Sequence, residues 1–250
     1  MATLVVQSHR APLPASWYAR CVDSVRSWAQ RSGFAYRWVG DELFDRLPAE
    51  LRNKVASQPV VASDLARLIL LEEVLDEGFA RAVWVDADVL VLEPERLALP
   101  AADARFGREV WSQEGAQGKL KVYRKIHNAI LAFAANEPVL PFYRMSAARI
   151  LDRYDAASGP MVPQLIGPKL ITLLHNAIGF DVLEAVGMLS PLVAEDVLAG
   201  GGPALERFLR ESAEPPAALN LCGSSVADQA RSEARMNLLV DHLQAARVFS

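Results

Sequence analysis

Two hydrophobic patterns alternate along the first third of the chain. Short apolar runs rich in β-branched and aromatic residues occupy residues 3–7, 34–39 and 83–85, and they predict buried strands. Residues 16–32 and 63–75 instead carry apolar side chains at helical spacing. A strand–helix–strand order predicts an α/β sheet with right-handed crossovers, in which ligands bind beyond the carboxyl ends of the strands. Gln7 and Ser8 lie at the first such end, which makes them candidates for nucleotide contact, with His9 a weaker candidate beside them.

Asp86 and Asp88 follow the third apolar run directly, and a further apolar run begins at Val89. Residues two apart on a strand point to the same side, so the two carboxylates are expected together at a strand end. Like charges at that spacing repel each other, and burial raises the cost. A divalent cation with open sites for phosphate oxygens is the simplest compensation. The alternative interpretation is an ordinary strand end with two solvated aspartates.

The helix that precedes this strand carries an acid and an arginine on one face. Ser63 is a plausible N-cap, and Asp64 and Arg67 are three residues apart. One interpretation is a first-turn acid favoured by the helix dipole and paired with its neighbour. The other follows from the direct passage of this helix into the strand before Asp86, which places both side chains near the two aspartates.

Composition narrows the class of protein. The chain has 250 residues, 52% of them hydrophobic and 22% charged, which suits one folded domain. Its net charge of −4 and scattered basic residues argue against general nucleic-acid binding. Cys21 and Cys222 are far apart in the chain and suggest no disulfide framework. With no signal-peptide pattern and no apolar run long enough to span a membrane, we expect a cytoplasmic protein, with attachment to a membrane surface left open.

The stretch from Ser-Asp-x-x-Arg at residues 63–67 to Trp-x-Asp-x-Asp at residues 84–88 resembles the donor site of GT-A fold glycosyltransferases, and is most similar to the retaining families 8 and 32. The resemblance implies a Rossmann-like mixed sheet flanked by helices, in one domain over residues 1–250. It implies that Asp64 and Arg67 contact the donor sugar. Trp84 would be the aromatic residue before the motif, Asp86 would contact the ribose or sugar, and Asp88 would be the principal ligand of Mn²⁺ or Mg²⁺.

The same resemblance adds candidates further along the chain. Asn128 is expected to open an apolar helix beside the donor sugar, although a plain N-cap is an equal alternative. Gly167 lies in a Gly-Pro turn before a helix, where backbone approaches a ligand closely. Asn220 and Ser225 match the positions from which these families complete the metal shell, but Val226 replaces their usual tryptophan. A last helix from about residue 226 packs either on the domain or on another copy of the chain.

The resulting prediction is a metal-dependent glycosyltransferase that moves a hexose from a UDP- or GDP-sugar to an acceptor hydroxyl, with retention implied by the resemblance. The alternatives are a non-catalytic sugar-nucleotide binder of the same fold and, less favoured, a phosphatase with an aspartate nucleophile. A basic cluster indicates either a solvated face or a place for an anionic acceptor; it consists of Lys119, Lys121, Arg124 and Lys125. The candidate catalytic residues are Asp64, Arg67, Asp86 and Asn128; the nucleotide-sugar residues are Gln7, Ser8, Trp84, Asp86 and Gly167; the metal ligands are Asp86, Asp88, Asn220 and Ser225.

Overall fold

The computed structural model describes residues 2–99, 104–155, 159–223 and 233–245. Strands and helices alternate at first, and a helical C-terminal half follows. The elements are β1 (Thr3–Ser8), α1 (Ser16–Arg31), β2 (Ala35–Val39), a 3-10 helix (Asp41–Arg46), α2 (Ala49–Lys54), α3 (Pro59–Asp76), β3 (Arg81–Val85), β4 (Val89–Val91), β5 (Arg105–Glu114), a 3-10 turn (Ala116–Gly118), β6 (Leu120–Ala134), α4 (Val139–Arg153), α5 (Pro168–Ile178), β7 (Val182–Leu183), β8 (Val186–Met188), α6 (Pro191–Leu198), α7 (Pro203–Glu211), β9 (Ala218–Asn220) and α8 (Glu233–Ala245).

A mixed six-stranded sheet forms the centre of the molecule, with strand order β2-β1-β3-β6-β5-β7. The first three strands are parallel, whereas β6 runs antiparallel to both β3 and β5. Buried side chains on both sides of β1 and β3 explain why their sequences are continuous apolar runs. The α/β class and the mixed sheet flanked by helices, both expected from the sequence, are confirmed.

The helix before β3 is buried nearly all round. Ten of the residues of α3 are buried, among them Asp64 and Arg67, so this helix carries its charged pair into the core beneath the sheet. The helix begins at Pro59, one turn earlier than the predicted cap at Ser63, because proline is favoured in the first turn of a helix. Ser63 therefore lies inside α3.

A second, three-stranded sheet joins the chain after the aspartates to its C-terminal part. Its order is β4-β9-β8, with β4 antiparallel to β9. Val89 pairs with Asn220, and the backbone N–H of Leu221 donates to the carbonyl of Asp88 at 2.9 Å. This sheet places a segment some 130 residues away directly against the second aspartate.

One predicted element is wrong. The apolar run that contains Asn128 was expected to open a helix, but it lies in β6, the long central strand. The continuous apolar run of six residues that follows Asn128, residues 129–134, suits a buried helix and a strand covered on both faces equally well, and here both faces of the strand are covered.

Other bounds shift by a residue or two, within the usual precision of helix ends. The helix expected directly after the Gly-Pro turn at Gly167 is confirmed as α5. Of the predicted last helix, α8 covers residues 233–245, while residues 226–232 and 246–249 lie outside the described part. Among the described helices, none combines the length and the apolar character needed to cross a membrane.

Candidate active site

The two aspartates lie in the turn between β3 and β4. The backbone N–H of Asp86 donates to Ala129 of β6 at 2.8 Å, and the N–H of Val89 donates back to the carbonyl of Asp86 at 3.1 Å. The tight turn sends the two side chains to different partners, which corrects the expectation that they share one side of a strand. The negative charge of Asp86 nevertheless raises the pKa of Asp88, so the carboxylates remain close enough to repel each other.

Asp86 is the more exposed of the pair, with 26% of its side chain accessible. Its Oδ1 accepts hydrogen bonds from the indole N–H of Trp84 at 2.6 Å and from Nη1 of Arg67 at 3.0 Å. Within the described residues, its Oδ2 has no partner. Burial raises the pKa of Asp86, while the Arg67 guanidinium and the indole oppose that rise. Asp86 is therefore fixed through one oxygen and presents the other.

Arg67 lies at the centre of the charged cluster, and only 6% of it is exposed. Its guanidinium reaches Asp64 and Asp86 at 3.0 Å each and donates to the carbonyl of Asn128 at 3.0 Å. Its Nε and Nη2 donate to the carbonyl and hydroxyl of Ser63 at 3.3 Å. Four of these contacts are hydrogen bonds, two from Nη1 and one each from Nε and Nη2, and the contact with Asp64 is an ion pair. The carbon of the guanidinium also lies 4.9 Å from the ring centre of Trp84.

Asp64 and Asn128 form a buried, hydrogen-bonded pair within the cluster. Nδ2 of Asn128 donates to Oδ1 of Asp64 at 2.7 Å, whereas Oδ2 of Asp64 is buried without a partner among the described residues. Burial raises the pKa of Asp64 to about 6, against the opposing effects of Arg67 and Asn128. Gly167, just before α5, packs on this pair so closely that a Cβ there would lie 2.4 Å from Oδ2 of Asp64.

Asp88 is held by the C-terminal segment rather than by a cation. Its Oδ1 accepts from Nδ2 of Asn220 and its Oδ2 from the N–H of Gly223, both at 2.7 Å. Burial, with a contribution from Asp86, raises the pKa of Asp88 to about 7. The Oδ1 of Asn220 accepts from the N–H of Cys222 at 2.7 Å, so the amide nitrogen faces Asp88. In this arrangement Asn220 positions Asp88, and its role as a metal ligand stays a prediction.

Three of the expected nucleotide-sugar residues have different surroundings. Gln7 is fully buried; it donates to the carbonyl of Asp86 at 3.2 Å and accepts from the hydroxyl of Tyr36 at 3.0 Å, so it holds the turn and does not reach solvent. Trp84 is also buried, and its indole orients Asp86. Ser8 lines the cavity described next. Ser225 lies outside the described residues.

A cavity of about 620 Å³ opens beside the charged cluster at the carboxyl ends of β1 and β2. Ser8, His9 and Asp41 line it at those strand ends. Two other lining residues, Ser63 and Gly223, are hydrogen-bonded to Arg67 and Asp88. The cavity therefore lies next to residues that hold Arg67 and Asp88, although neither aspartate of the motif lines it. Its wall is completed by Arg10, Pro14, Trp17, Tyr18, Leu43, Phe44, Pro59 and Met236.

Several residues of this wall were not predicted from the sequence. Trp17 and Tyr18 stack with ring centres 3.8 Å apart, and Tyr18 also packs against His9 at 4.9 Å. Trp17 is one of the apolar positions at helical spacing in residues 16–32, a pattern that indicates packing and no ligand. Asp41 could have been found, because the rule that singled out Ser8 applies equally to the carboxyl end of β2. Met236 comes from α8 and carried no sequence signal.

Asp86 and Asp88 suit a divalent cation that is also bound by phosphate oxygens of a substrate. Among the described residues, no group of three or more histidine, cysteine, aspartate or glutamate side chains could enclose a metal ion. Two neighbouring carboxylates with raised pKa values are nevertheless present, and Oδ2 of Asp86 lacks a partner in the described part of the chain. Mg²⁺ is commonly bound by one or two carboxylates together with substrate phosphates. Asp86 and Asp88 fit that mode, in which the diphosphate completes the shell.

No protein-family model matches the chain, and no curated protein matches it. Among solved structures, a glycosyltransferase involved in the glycosylation of the major capsid of PBCV-1 is similar over 97% of this chain and 99% of its own, with 10% sequence identity and a TM-score of 0.50.

Two further solved structures have lower TM-scores. The galactosyltransferase LgtC in complex with donor and acceptor sugar analogues has 14% identity over 95% of this chain and 94% of its own, with a TM-score of 0.46. Mouse xyloside xylosyltransferase 1 has 10% identity over 91% of this chain and 99% of its own, also with a TM-score of 0.46. From its sheet topology and its likeness to the PBCV-1 glycosyltransferase, the chain has the GT-A glycosyltransferase fold.

Proposed function

We propose that this protein is a metal-dependent glycosyltransferase that transfers a hexose from a nucleoside diphosphate sugar to an acceptor hydroxyl. The observation that carries the proposal is the position of the aspartate motif. Through the hydrogen bond between Gly223 and Asp88, the motif is joined to the wall of a cavity of about 620 Å³ at the strand ends of a GT-A fold, where sheets of this kind bind their ligands. Retention of configuration is proposed from the sequence resemblance alone.

In this proposal, residues around the aspartate motif hold its two carboxylates in place. Arg67 and Trp84 hold Asp86 with one oxygen free, and Asn220 and Gly223 hold Asp88. A divalent cation bound by the two aspartates would supply Lewis-acid neutralisation of the departing diphosphate. Keeping both carboxylates in place before the donor arrives is a form of preorganisation, which lowers the barrier without movement during the reaction.

The sugar side of the site consists of Asp64, Asn128 and Gly167. Oδ2 of Asp64 is an acceptor without a partner in the described structure, and a hydroxyl of the donor sugar would satisfy it. Gly167 brings the start of α5 against the same carboxylate. Arg67 is only 6% exposed and forms four hydrogen bonds and an ion pair with Asp64, so it would act on the sugar through Asp64 rather than by direct contact.

A screen of UDP- and GDP-hexoses with and without Mn²⁺ tests the proposal. Binding measured by calorimetry should require the metal, and chromatography should detect release of the nucleoside diphosphate and transfer to a hydroxyl acceptor. Asp88→Asn should abolish the metal-dependent part. Asp76→Asn, an exposed acid at the end of the neighbouring α3, is the matched control and should bind as the unmodified protein does.

The outcomes separate the alternatives. Metal-dependent binding without turnover would favour a non-catalytic sugar-nucleotide binder. Release of phosphate from simple phosphomonoesters that requires Asp86 would favour a phosphatase. Binding of donors that is the same with and without Mn²⁺, and the same in Asp88→Asn, would refute the assignment of the metal site.

A further inference from the structure

Tyr18, in the first turn of α1, lies against the backbone that holds Asp88. It lines the cavity, and 9% of it is exposed. A Cβ placed on Gly223 would lie 2.2 Å from the hydroxyl oxygen of Tyr18 and 2.7 Å from the indole of Trp17. Because Gly223 has no side chain, both rings can pack against the residue whose N–H donates to Asp88.

The hydroxyl of Tyr18 is close to the carboxylate of Asp88. The bonds from Cα of Gly223 to its nitrogen and to a Cβ are about 1.5 Å each, so the hydroxyl oxygen lies within roughly 8 Å of Oδ2 of Asp88. Burial raises the pKa of Tyr18, and the charges of Asp88 and Asp86 add to the rise. The hydroxyl therefore stays protonated at neutral pH and can donate a hydrogen bond.

The ring of Tyr18 is fixed, whereas its hydroxyl is not engaged. The ring centres of Trp17 and His9 lie 3.8 Å and 4.9 Å from that of Tyr18. In the described part of the chain, the hydroxyl has no hydrogen-bond partner. A ligand could therefore accept a hydrogen bond from it without first displacing a protein group.

Positive charge lies on the same part of the cavity wall. Arg10 is exposed, lines the cavity and forms no ion pair with any described residue. Its charge lowers the pKa of Tyr18, against the larger effects of burial and Asp88, so the guanidinium is within electrostatic range of the hydroxyl. The acidic residue of the wall, Asp41, acts on the pKa of His9 instead. The surroundings of Tyr18 thus suit an anion that accepts hydrogen bonds.

We propose that the hydroxyl of Tyr18 binds the diphosphate of the donor and that Arg10 adds positive charge beside it; this assignment rests on the proposed function. There, Asp88 and the diphosphate bind the same cation, which brings phosphate oxygens close to this carboxylate. The hydroxyl would donate to one of these oxygens, and a hydrogen bond to a charged acceptor is stronger than one between neutral groups. Tyr18 is then a diphosphate-binding residue supplied by α1.

Tyr18→Phe tests the assignment, because it removes the hydroxyl and keeps the ring that packs on Trp17 and His9. Calorimetry in the presence of Mn²⁺ should show UDP or GDP bound about tenfold more weakly or worse, as expected for loss of a hydrogen bond to a charged group. Inorganic pyrophosphate should lose affinity by the same factor. Tyr123→Phe removes an exposed tyrosine hydroxyl from β6, and as the control it should bind both probes normally.

Two further measurements separate binding from folding and charge from hydrogen bonding. The melting temperature of Tyr18→Phe without ligand should equal that of the unmodified protein, because the hydroxyl has no partner among the described residues. Arg10→Gln should weaken both probes by a few-fold, and this loss should shrink at high salt, since an exposed charge is screened.

Three results would overturn the inference. They are unchanged binding of both probes by Tyr18→Phe, a loss confined to UDP and GDP, which would assign the hydroxyl to the base or ribose, and a loss accompanied by a clear fall in the melting temperature, which would assign it to the fold. If the unmodified protein binds neither UDP nor GDP with Mn²⁺, the proposed function fails together with the inference. If it binds them and Tyr18→Phe binds them equally well, the inference alone fails.

Discussion

Replacement of Arg67 by methionine should destabilise the protein strongly. The guanidinium is the cation shared by Asp64 and Asp86, at 3.0 Å from each. Methionine retains much of the apolar stem beside Trp84 but removes the charge and all five donors. Asp64, which is only 2% exposed, would then be a buried carboxylate without a counter-charge.

The size of the loss follows from the burial of the pair. Breaking a buried ion pair by removing one partner costs about 3–5 kcal/mol, a large part of the roughly 5–15 kcal/mol that stabilises a typical domain. The loss should be smaller at pH 5 than at pH 8. The pKa of Asp64 is already raised to about 6 with Arg67 present, and removal of the cation raises it further, so at pH 5 the carboxyl is protonated and carries no charge to compensate.

Urea unfolding followed by circular dichroism at both pH values measures this loss. Arg67→Lys should fall between the two proteins, because a single ammonium cannot reproduce the fork that joins two carboxylates and a carbonyl. Arg149→Met, on the exposed side of α4, is the control for loss of one arginine. A loss below about 1 kcal/mol at pH 8, or one independent of pH, would contradict the shared-cation role and restore direct sugar contact as the main function of Arg67.

Three other perturbations test separate parts of the site. Gly167→Ala should lower the free energy of unfolding by about 1–3 kcal/mol and weaken donor binding, because the new Cβ would lie 2.4 Å from Oδ2 of Asp64. In the control Gly115→Ala the new Cβ meets only the flexible stem of Lys121, so the free energy of unfolding should change little. Equal unfolding midpoints for the two variants would refute the close packing at Gly167. Thermal stabilisation by Mn²⁺ should grow from pH 6 to pH 8 and level off above pH 8. The reason is that burial raises the pKa of Asp88 to about 7, so a proton competes with the metal for this carboxylate at lower pH. Stabilisation by Mn²⁺ that does not change with pH across this range would argue against Asp88 as a ligand. Burial lowers the pKa of His127 to about 4, so the unfolded protein binds more protons than the folded one between pH 6.5 and pH 4, and the free energy of unfolding should fall by about 3 kcal/mol as the pH drops through that window. His127→Gln should remove this pH dependence, as measured by urea unfolding. An unchanged pH dependence in that variant would show that another group causes it.

The sequence predicted well what local pattern determines. The apolar runs of β1 and β3 and the helical spacing of α3 were sufficient to bring Asp64, Arg67 and Asp86 into one neighbourhood, and the structure joins them through ion pairs. Asn128 was assigned to the same neighbourhood but to the wrong element, since residues 129–134 after it are apolar throughout and contain no period to distinguish strand from helix. Its hydrogen bond to Asp64 is nevertheless present.

What the sequence could not supply depends on contacts between distant parts of the chain. Nothing in the pattern around Leu219 shows that β9 pairs with β4, although this pairing brings Asn220 to Asp88. The position of α8, which contributes Met236 to the cavity, is similarly set by packing and by side-chain contacts such as the bond from Ser16 to Glu233 at 2.8 Å. Such contacts have no local signature, because they depend on which surfaces the rest of the fold leaves open.

The two aspartates of the motif are held in opposite ways, and this difference has a consequence for the metal. Asp86 is paired with a cation, whereas the donors that Asp88 receives from the described residues are the neutral groups of Asn220 and Gly223. Neutral donors offset the cost of a buried negative charge less than a cation does, which is why the pKa of Asp88 remains raised to about 7. In the proposed function, a divalent cation would therefore bring its largest gain at Asp88. Because Asn220 and Gly223 hold that same carboxylate, residues 220–223 are placed to respond when the charge on Asp88 is compensated.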